Sequence, residues 1–359
     1  MHLSLHKKAF KKGLLISNGH ETFHDDLTDI IEDLYIIDPY YQKENYLESL
    51  EIFKQYLKYN NINNNFLKII YSSGLENNTA IKRYLNKNFY ILGNDLDKFT
   101  FLSNPYNLDK KLFQDNIVLP DVSTKFHYKF ISKKNNSSGG LNVANDHTSS
   151  SIYYQKYIPG TTYSVSFISN KKDIQILGFN QLFLVKNNAK YPYLYSGAMT
   201  LSLDYNKLNY YIEWIRNFSS MYKLNGFCSI DYKVYDNKIY IIDINPRLSG
   251  TYRLYKKKYN NIMNYHVGLT SGKMISINND YHAYIILYAK NDLVVNESIN
   301  KIKNKSDTPI LGETIKKNMP ILTINLKSND KKKLLLKIKD RIKSAMKIID
   351  CYNIDLEYE

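Results

Sequence analysis

The chain has 359 residues, 43% apolar and 23% charged. That is apolar material for two or three packed domains, and it excludes a disordered or fibrous protein. The net charge of +15 would suit a polyanion, but the lysines are spread along the chain and cluster only at 256–258 and 331–333. Lys, Asn, Ile and Tyr are abundant together, as drift toward A/T-rich codons would produce, so no nucleic-acid partner is expected. The apolar runs 239–242 and 284–289 are far short of the ~20 residues of a membrane span. The first residues, MHLSLHKKAFKKG, lack the apolar segment of a secretory leader. There are two cysteines, Cys228 and Cys351, with no CxxC pair. A disulfide scaffold and a zinc cluster are thereby excluded, and a cytoplasmic setting is expected.

In chain order, 13–17 reads as a first strand, without the glycine-rich turn that a nucleotide-binding fold places after it. An apolar run follows at 34–37, then a helical stretch at 46–59 and an Asn-rich loop at 60–65. Residues 67–71 form a strand ending in Ser72-Ser73-Gly74. A helical stretch at 80–85 precedes a strand at 89–92, stopped by Gly93-Asn94. Strands alternating with helices predict a parallel sheet. Residues 108–115 predict a helix ended by 117–120. A β-rich half follows, with strands at 128–133, 152–158, 163–169 and 174–184. Leu208, Tyr211, Ile212, Ile215 and Phe218 recur at helical spacing within 206–222. Two strands come next, at 227–235 and 239–244, and 332–349 predicts a long amphipathic helix. Domain boundaries are expected near 122 and 270.

The segment GFCSIDYKVYDNKIYIIDINPRLSG, 226–250, carries the strongest chemical signal. Side chains alternate along a strand, so Asp243 and Asn245 share a face. If the turn is the three residues Asp236-Asn237-Lys238, Tyr235 faces Ile239 and Asp231 faces Asp243. Two carboxylates side by side in a strand interior repel, and burying them is costly. A divalent cation removes both costs. Mg²⁺ takes hard oxygen ligands, usually one or two carboxylates with nucleotide phosphates. Arg247, two residues past Asn245, can meet a developing anion. Ile241, Ile242 and Ile244 argue that the second strand is buried.

Two weaker segments precede it. In YKFISKKNNSSGGLNV, 128–143, a strand delivers Lys133 into a loop of Ser137, Ser138, Gly139 and Gly140. Such a loop can bring backbone N–H groups to phosphate oxygens while the lysine supplies charge. It is not a Walker loop. In YYQKYIPGTTYSVS, 153–166, a strand ends at Gln155-Lys156-Tyr157-Ile158, and Pro159-Gly160 turns the chain.

In this order and at these spacings, the three segments resemble the ATP-grasp superfamily across about residues 65–325. The Asp-Ile-Asn-Pro-Arg string is its most specific part. The resemblance implies ATP held between two α+β lobes. Lys133 and the Ser137, Ser138, Gly139, Gly140 loop would meet phosphates, and Gln155, Lys156 and Ile158 would meet adenine. Asp231, Asp243 and Asn245 would hold Mg²⁺ or Mn²⁺, and Arg247 would be catalytic. The implied fold is α+β/α/β: an N-terminal α/β pre-ATP-grasp domain over 1–122, a two-lobed core over 123–270 and a small cap over 271–359. Tyr71-Ser72-Ser73-Gly74-Leu75-Glu76-Asn77, Leu92-Gly93-Asn94 and Ser306-Asp307-Thr308-Pro309 resemble a carboligase group related to biotin carboxylase. That group includes tyramine–glutamate ligases of methanofuran biosynthesis.

There are departures from the pattern. The acidic side chain common at or after the linker is missing among Gln155, Lys156, Thr161 and Thr162, and no lysine precedes the small lobe around 102–108. Thr251 stands where biotin carboxylase has a glutamate base, so ligation is expected rather than carboxylation. The implied reaction joins a small-molecule carboxylate to an amine through an acyl phosphate, yielding ADP and phosphate. Neither membrane nor nucleic-acid partners are implied, and a homodimer is compatible. Two alternatives stand: an ATP-binding relative without turnover, and a basic nucleic-acid-binding protein. The eight histidines do not cluster. His20 and His24 share a helical spacing, and His266 and His282 follow the signature.

Overall fold

The computed structural model describes residues 8–38, 46–62, 66–76, 78–113, 116–134, 138–145, 153–171, 173–202 and 208–356. The N-terminal part is a four-stranded parallel sheet in the order β2-β1-β3-β4. Its strands are β1 (Phe10–Ile16), β2 (Ile31–Ile37), β3 (Leu67–Tyr71) and β4 (Tyr90–Ile91). The helices between them are α1 (Glu21–Thr28), α2 (Leu50–Tyr59) and α3 (Thr79–Asn88), with α4 (Leu96–Leu102) after β4. Ser49 caps α2 and Asp95 caps α4, each side chain accepting a first-turn N–H. Apolar side chains of β1 and β3, among them Leu14, Ile16 and Ile69, pack with Phe53, Leu57 and Leu85 of α2 and α3. The expected alternation of strands and helices is therefore present, with α1 and α4 added. Where a helix is expected over 108–115, of which 114 and 115 lie outside the described residues, two 3₁₀ turns stand at Pro105–Asn107 and Lys110–Leu112, each started by an Asn or Asp side-chain cap.

Two further sheets follow. The small one runs β6-β9-β7-β8, with β6 (Val122–Ser123), β7 (Phe130–Lys133), β8 (Val143–Ala144) and β9 (Tyr153–Lys156). The large one contains β5 (Ile117–Val118), β10 (Thr162–Asn170), β11 (Ile174–Val185), β12 (Tyr195–Leu201), β13 (Asn225–Tyr235) and β14 (Lys238–Asn245). It continues through β15 (Tyr281–Tyr288), β17 (Lys305–Ser306), β19 (Pro320–Ser328) and β20 (Ile354–Asp355), in the order β17-β19-β15-β12-β11-β10-β13-β14-β5 with β20 beside β11. The strands beyond residue 270 thus extend the large sheet. Only the short pair β16 (Leu293–Val294) and β18 (Thr314–Ile315) stands apart from it. Pairing in the small and large sheets is antiparallel, except that β5 runs parallel to β14 in the large one. Helix α5 (Asn209–Met221) buries Tyr211, Ile215 and Phe218 against β10, β11, β13 and β14. Helix α8 (Lys331–Met346) buries Leu334, Ile338 and Ile342 against β15 and β19. Short helices α6 (Tyr252–Tyr255) and α7 (Ile262–His266) follow the hairpin of β13 and β14. Among the described residues no helix is long and apolar enough to cross a membrane.

The N-terminal sheet is joined to the back of this hairpin. Leu15, Phe23 and Ile70 share one apolar cluster with Phe227, Tyr252 and Tyr284. At its edge Asn94, 1% exposed, makes a polar joint. Its amide donates to the Asn225 carbonyl at 2.8 Å and the Pro246 carbonyl at 3.1 Å, and its Oδ1 accepts the Asn225 N–H at 2.8 Å. Gly93 next to it has φ of 92°, and a side chain there would meet the His266 ring at 2.5 Å. The Leu92-Gly93-Asn94 string is therefore a packing device that holds the Asn245–Arg247 turn from behind. Replacing Asn94 with Ala leaves the Asn225 N–H and the Pro246 carbonyl buried without their partner, a loss of about 2–4 kcal/mol. Urea unfolding checks this, and a change under about 0.5 kcal/mol, typical of a surface position, would contradict it.

Candidate active site

The hairpin turn is shorter than expected. Tyr235 pairs with Lys238, leaving a two-residue turn of Asp236 and Asn237. Both have positive φ, 49° and 55°, as in the mirror-image turns that match strand twist. An undisturbed ladder from that turn would place Asp231 and Asp243 on opposite faces. A β-bulge between Asp231 and Tyr232 corrects the register. Tyr232 still faces Ile241, but Asp231 faces Asp243, with Ile242 as the extra residue. The facing pair read from the sequence is present, then, and its cause is the bulge. The Ile242 carbonyl accepts the Lys133 ammonium at 2.9 Å, so the same irregularity docks the first lobe's lysine beside both carboxylates.

The carboxylate face is half-buried and lines a cavity. Burial first, and then the like charge of Asp243, push the Asp231 carboxyl above the ordinary carboxylate range, against Ser164, Arg247 and Lys133. Burial alone would lower the Lys133 ammonium, but Tyr153 and the two aspartates outweigh it and raise its pKa. Asn245 donates its amide to Asp231 and Asp243, 3.4 Å from each. Turned over, that amide would present Oδ1 from the same position, giving three hard oxygen donors. Among the described residues no group of three or more His, Cys, Asp or Glu gathers. A cation here has to complete its shell with phosphate oxygens or water, which is the way Mg²⁺ is usually bound. The donor set fits that ion.

The site opens into a cavity of about 350 Å³ between the small and large sheets. Lys133, Ser138, Gly139 and Gly140 line it, and so do Gln155, Lys156 and Ile158. Ser137 lies outside the described residues. Gly139 and Gly140 have φ of 64° and 75°. The Gly139 carbonyl accepts the Tyr195 N–H at 2.9 Å, and a Cβ at Gly140 would lie 1.8 Å from the Tyr193 carbonyl oxygen. Only glycine allows the loop this approach to the large sheet. Gln155 is buried, its backbone paired with Ile131 and Val122. Lys156 is at the rim, 3.3 Å from the Asp121 carboxylate. Arg247 also lines the cavity and is 6% exposed. It pairs with the equally buried Glu76 at 3.2 Å and donates to the Leu248 carbonyl at 3.1 Å. Glu76 is held in turn by the Gly74 N–H. The string 71–76 is the support of Arg247.

Other lining residues were not singled out from the sequence. Asn18 and Thr22 come from the start of the N-terminal part, and Arg253 and Tyr284 come from beyond the hairpin. Arg253 bonds to Thr22 and Ser306, and pairs with Asp307 at 2.7 Å. The motif containing Asp307 gave a signal, whereas Arg253 is one cation among many. Thr251 accepts from Ser166 at 2.8 Å and sits 2.8 Å from the Ser249 hydroxyl, so hydroxyls occupy the position of a glutamate base. The histidines do other work. His266 is buried behind the hairpin, its pKa lowered to about 4 by burial, and its Nδ1 accepts the Phe227 N–H. His20 and two backbone N–H groups bind Asp38, organising the turn after β1.

Residues 102–251 match the ATP-grasp domain family. An uncharacterized protein of Methanocaldococcus jannaschii is 29% identical over 271 residues, which is 67% of this chain and 65% of that protein. The matched region thus spans just under two thirds of that relative. Biotin carboxylase from Campylobacter jejuni, solved with a β,γ-ATP ligand, superposes with a TM-score of 0.63 at 12% identity, covering 96% of this chain and 92% of that one. L-amino acid ligase from Bacillus licheniformis gives 0.63 at 11% identity, covering 92% and 97%. The site described above falls largely within the segment that matches the ATP-grasp domain family, and the chain as a whole has the ATP-grasp fold.

Proposed function

We propose that this protein is an ATP-dependent carboxylate–amine ligase that works through an acyl phosphate and releases ADP and phosphate. The observation that carries the reading is the pair Asp231 and Asp243, half-buried and face to face beside Asn245 and Lys133 at a cavity between two lobes. Two carboxylates in that setting suit a divalent cation and terminal phosphates better than any other ligand. The Bacillus licheniformis neighbour is an L-amino acid ligase, which supports the same class.

In this reading Lys133 holds phosphate oxygens, and the backbone of the Ser138–Gly140 segment covers them. Gln155, Lys156 and Ile158 border the adenine. Asp231, Asp243 and Asn245 would hold Mg²⁺ or Mn²⁺, which supplies charge neutralisation at the terminal phosphates. A carboxylate oxygen of the acid attacks the γ-phosphorus, and the bond to the β-phosphate oxygen breaks. The amine nitrogen then attacks the acyl carbon, phosphate leaves, and the amine proton passes to phosphate or solvent. Arg247, fixed by Glu76, places positive charge where the acyl phosphate and the tetrahedral oxyanion carry negative charge. Thr251 stands where a carboxylate base would, so the amine attacks as its neutral form, having given its ammonium proton to solvent. The narrower resemblance to tyramine–glutamate ligases makes glutamate and tyramine the first pair to assay, and would place the protein in the synthesis of a methanofuran- or methanopterin-type one-carbon cofactor.

The test pairs amino acids with primary amines and separates the nucleotide products by chromatography. ADP with phosphate is expected, and AMP with pyrophosphate would refute the mechanism. Arg247→Ala should lower turnover by about 10²–10³-fold, the range for removing one oxyanion donor, with little change in KM for ATP.

A further inference from the structure

Lys133 and Asn245 both turn positive ends toward the paired carboxylates. The Lys133 ammonium donates to the Ile242 carbonyl at 2.9 Å, and that carbonyl belongs to the bulge residue next to Asp243. The ring of Tyr153 borders the same ammonium, its centroid 5.9 Å from Nζ. The charges of Asp243 and Asp231 both act on Lys133, and its charge acts back on Asp231. The Asn245 amide donates to the two carboxylates at 3.4 Å each. Of these two groups only Lys133 carries a full charge. Arg247 acts on Asp231 too, but it is paired with Glu76 at 3.2 Å.

A dication held by Asp231 and Asp243 would have the Lys133 ammonium as a close neighbour of like charge. A metal ion alone therefore gains two carboxylates and meets one anchored cation. Terminal phosphates change that balance, because their oxygens attract the ammonium and the dication together. We propose that Lys133 makes the aspartate pair selective for a metal–nucleotide complex over the bare cation. The repulsion is built in by the fold. Lys133 stands on β7 of the small sheet, and its anchor, the Ile242 carbonyl, stands on β14 of the large one. The metal then enters with the phosphates and not ahead of them. This proposal rests on the nucleotide reading above and extends it. A lysine that served only as a phosphate ligand would have no bearing on metal binding without nucleotide.

The probe is Mn²⁺, titrated into the full chain alone and together with ATP. Free Mn²⁺ is read by electron paramagnetic resonance, and binding of MnATP by calorimetry. The wild type is compared with Lys133→Met, Lys133→Gln and Lys133→Arg, each checked for folding by circular dichroism. Lys133→Met should bind Mn²⁺ alone at least about tenfold more tightly than the wild type. Its affinity for MnATP should fall about 10–100-fold, the loss of one charge-assisted hydrogen bond. Lys133→Gln also removes the charge and should move both affinities in the same directions, so the result does not hang on the folding of one variant. Lys133→Arg keeps the charge and should leave the affinity for Mn²⁺ alone within about twofold of the wild type. The opposite signs are the signature, because a variant that merely loosens the site weakens both. The proposal is overturned if removing the charge leaves the affinity for Mn²⁺ alone unchanged or lower, or if Lys133→Arg tightens it as much as Lys133→Met. A wild type that binds no MnATP would overturn the nucleotide reading itself, and this proposal with it.

Discussion

Two carboxylates facing each other across a buried hairpin are the feature to which the rest of the site is fitted. Asp231 and Asp243 repel, and their partial burial adds to the cost of holding both charges. The neighbouring features both create that strain and offset it. The bulge at Ile242 puts them on one face and frees a carbonyl for Lys133. Asn245 spans both carboxylates. Lys133 arrives from the small sheet, so the charge balance of the face depends on two lobes being brought together. A cleft that is electrostatically incomplete is one that a metal–nucleotide complex can complete.

The N-terminal part stabilises this arrangement from behind. Asn94 grips Pro246, and Glu76 grips Arg247, on either side of the hairpin's end. The two grips use different parallel-sheet loops, those after β4 and β3. Each satisfies groups that would otherwise be buried unpaired. Arg253 adds a third tie, from α1 to the segment after β17, through Thr22 and Asp307. The N-terminal sheet is thereby joined to the large sheet by polar contacts, two of which involve residues that line the cavity, Arg247 and Arg253.

The sequence disclosed the chemistry-bearing residues better than their geometry. Asp231, Asp243, Asn245 and Arg247 stand out because carboxylates and a carboxamide in an isoleucine-rich strand need a reason. The turn length was misread, because Asp236 and Asn237 can close a two-residue turn in positive φ and nothing local announces the bulge that restores the face. Residues 108–115 read as a helix, but the Asn104 and Asp109 caps start two separate 3₁₀ turns in and before that stretch. Strands β12, β15 and β19 escaped because sheet-centre strands carry apolar residues without strong alternation. Asn18 and Arg253 carry no local signal at all. Their roles come from long-range contacts, such as the one between Arg253 and Thr22.

The account's central claim is that the paired aspartates bind nucleotide through a divalent cation. Calorimetric titration of the full chain with ATP, with Mg²⁺ and with EDTA, tests it directly, repeated on Asp243→Asn. The account predicts tight binding with Mg²⁺, a large loss in EDTA, and a weakened, nearly metal-independent residue of binding in the variant. Equal ATP affinity with and without divalent metal in the wild type would contradict it.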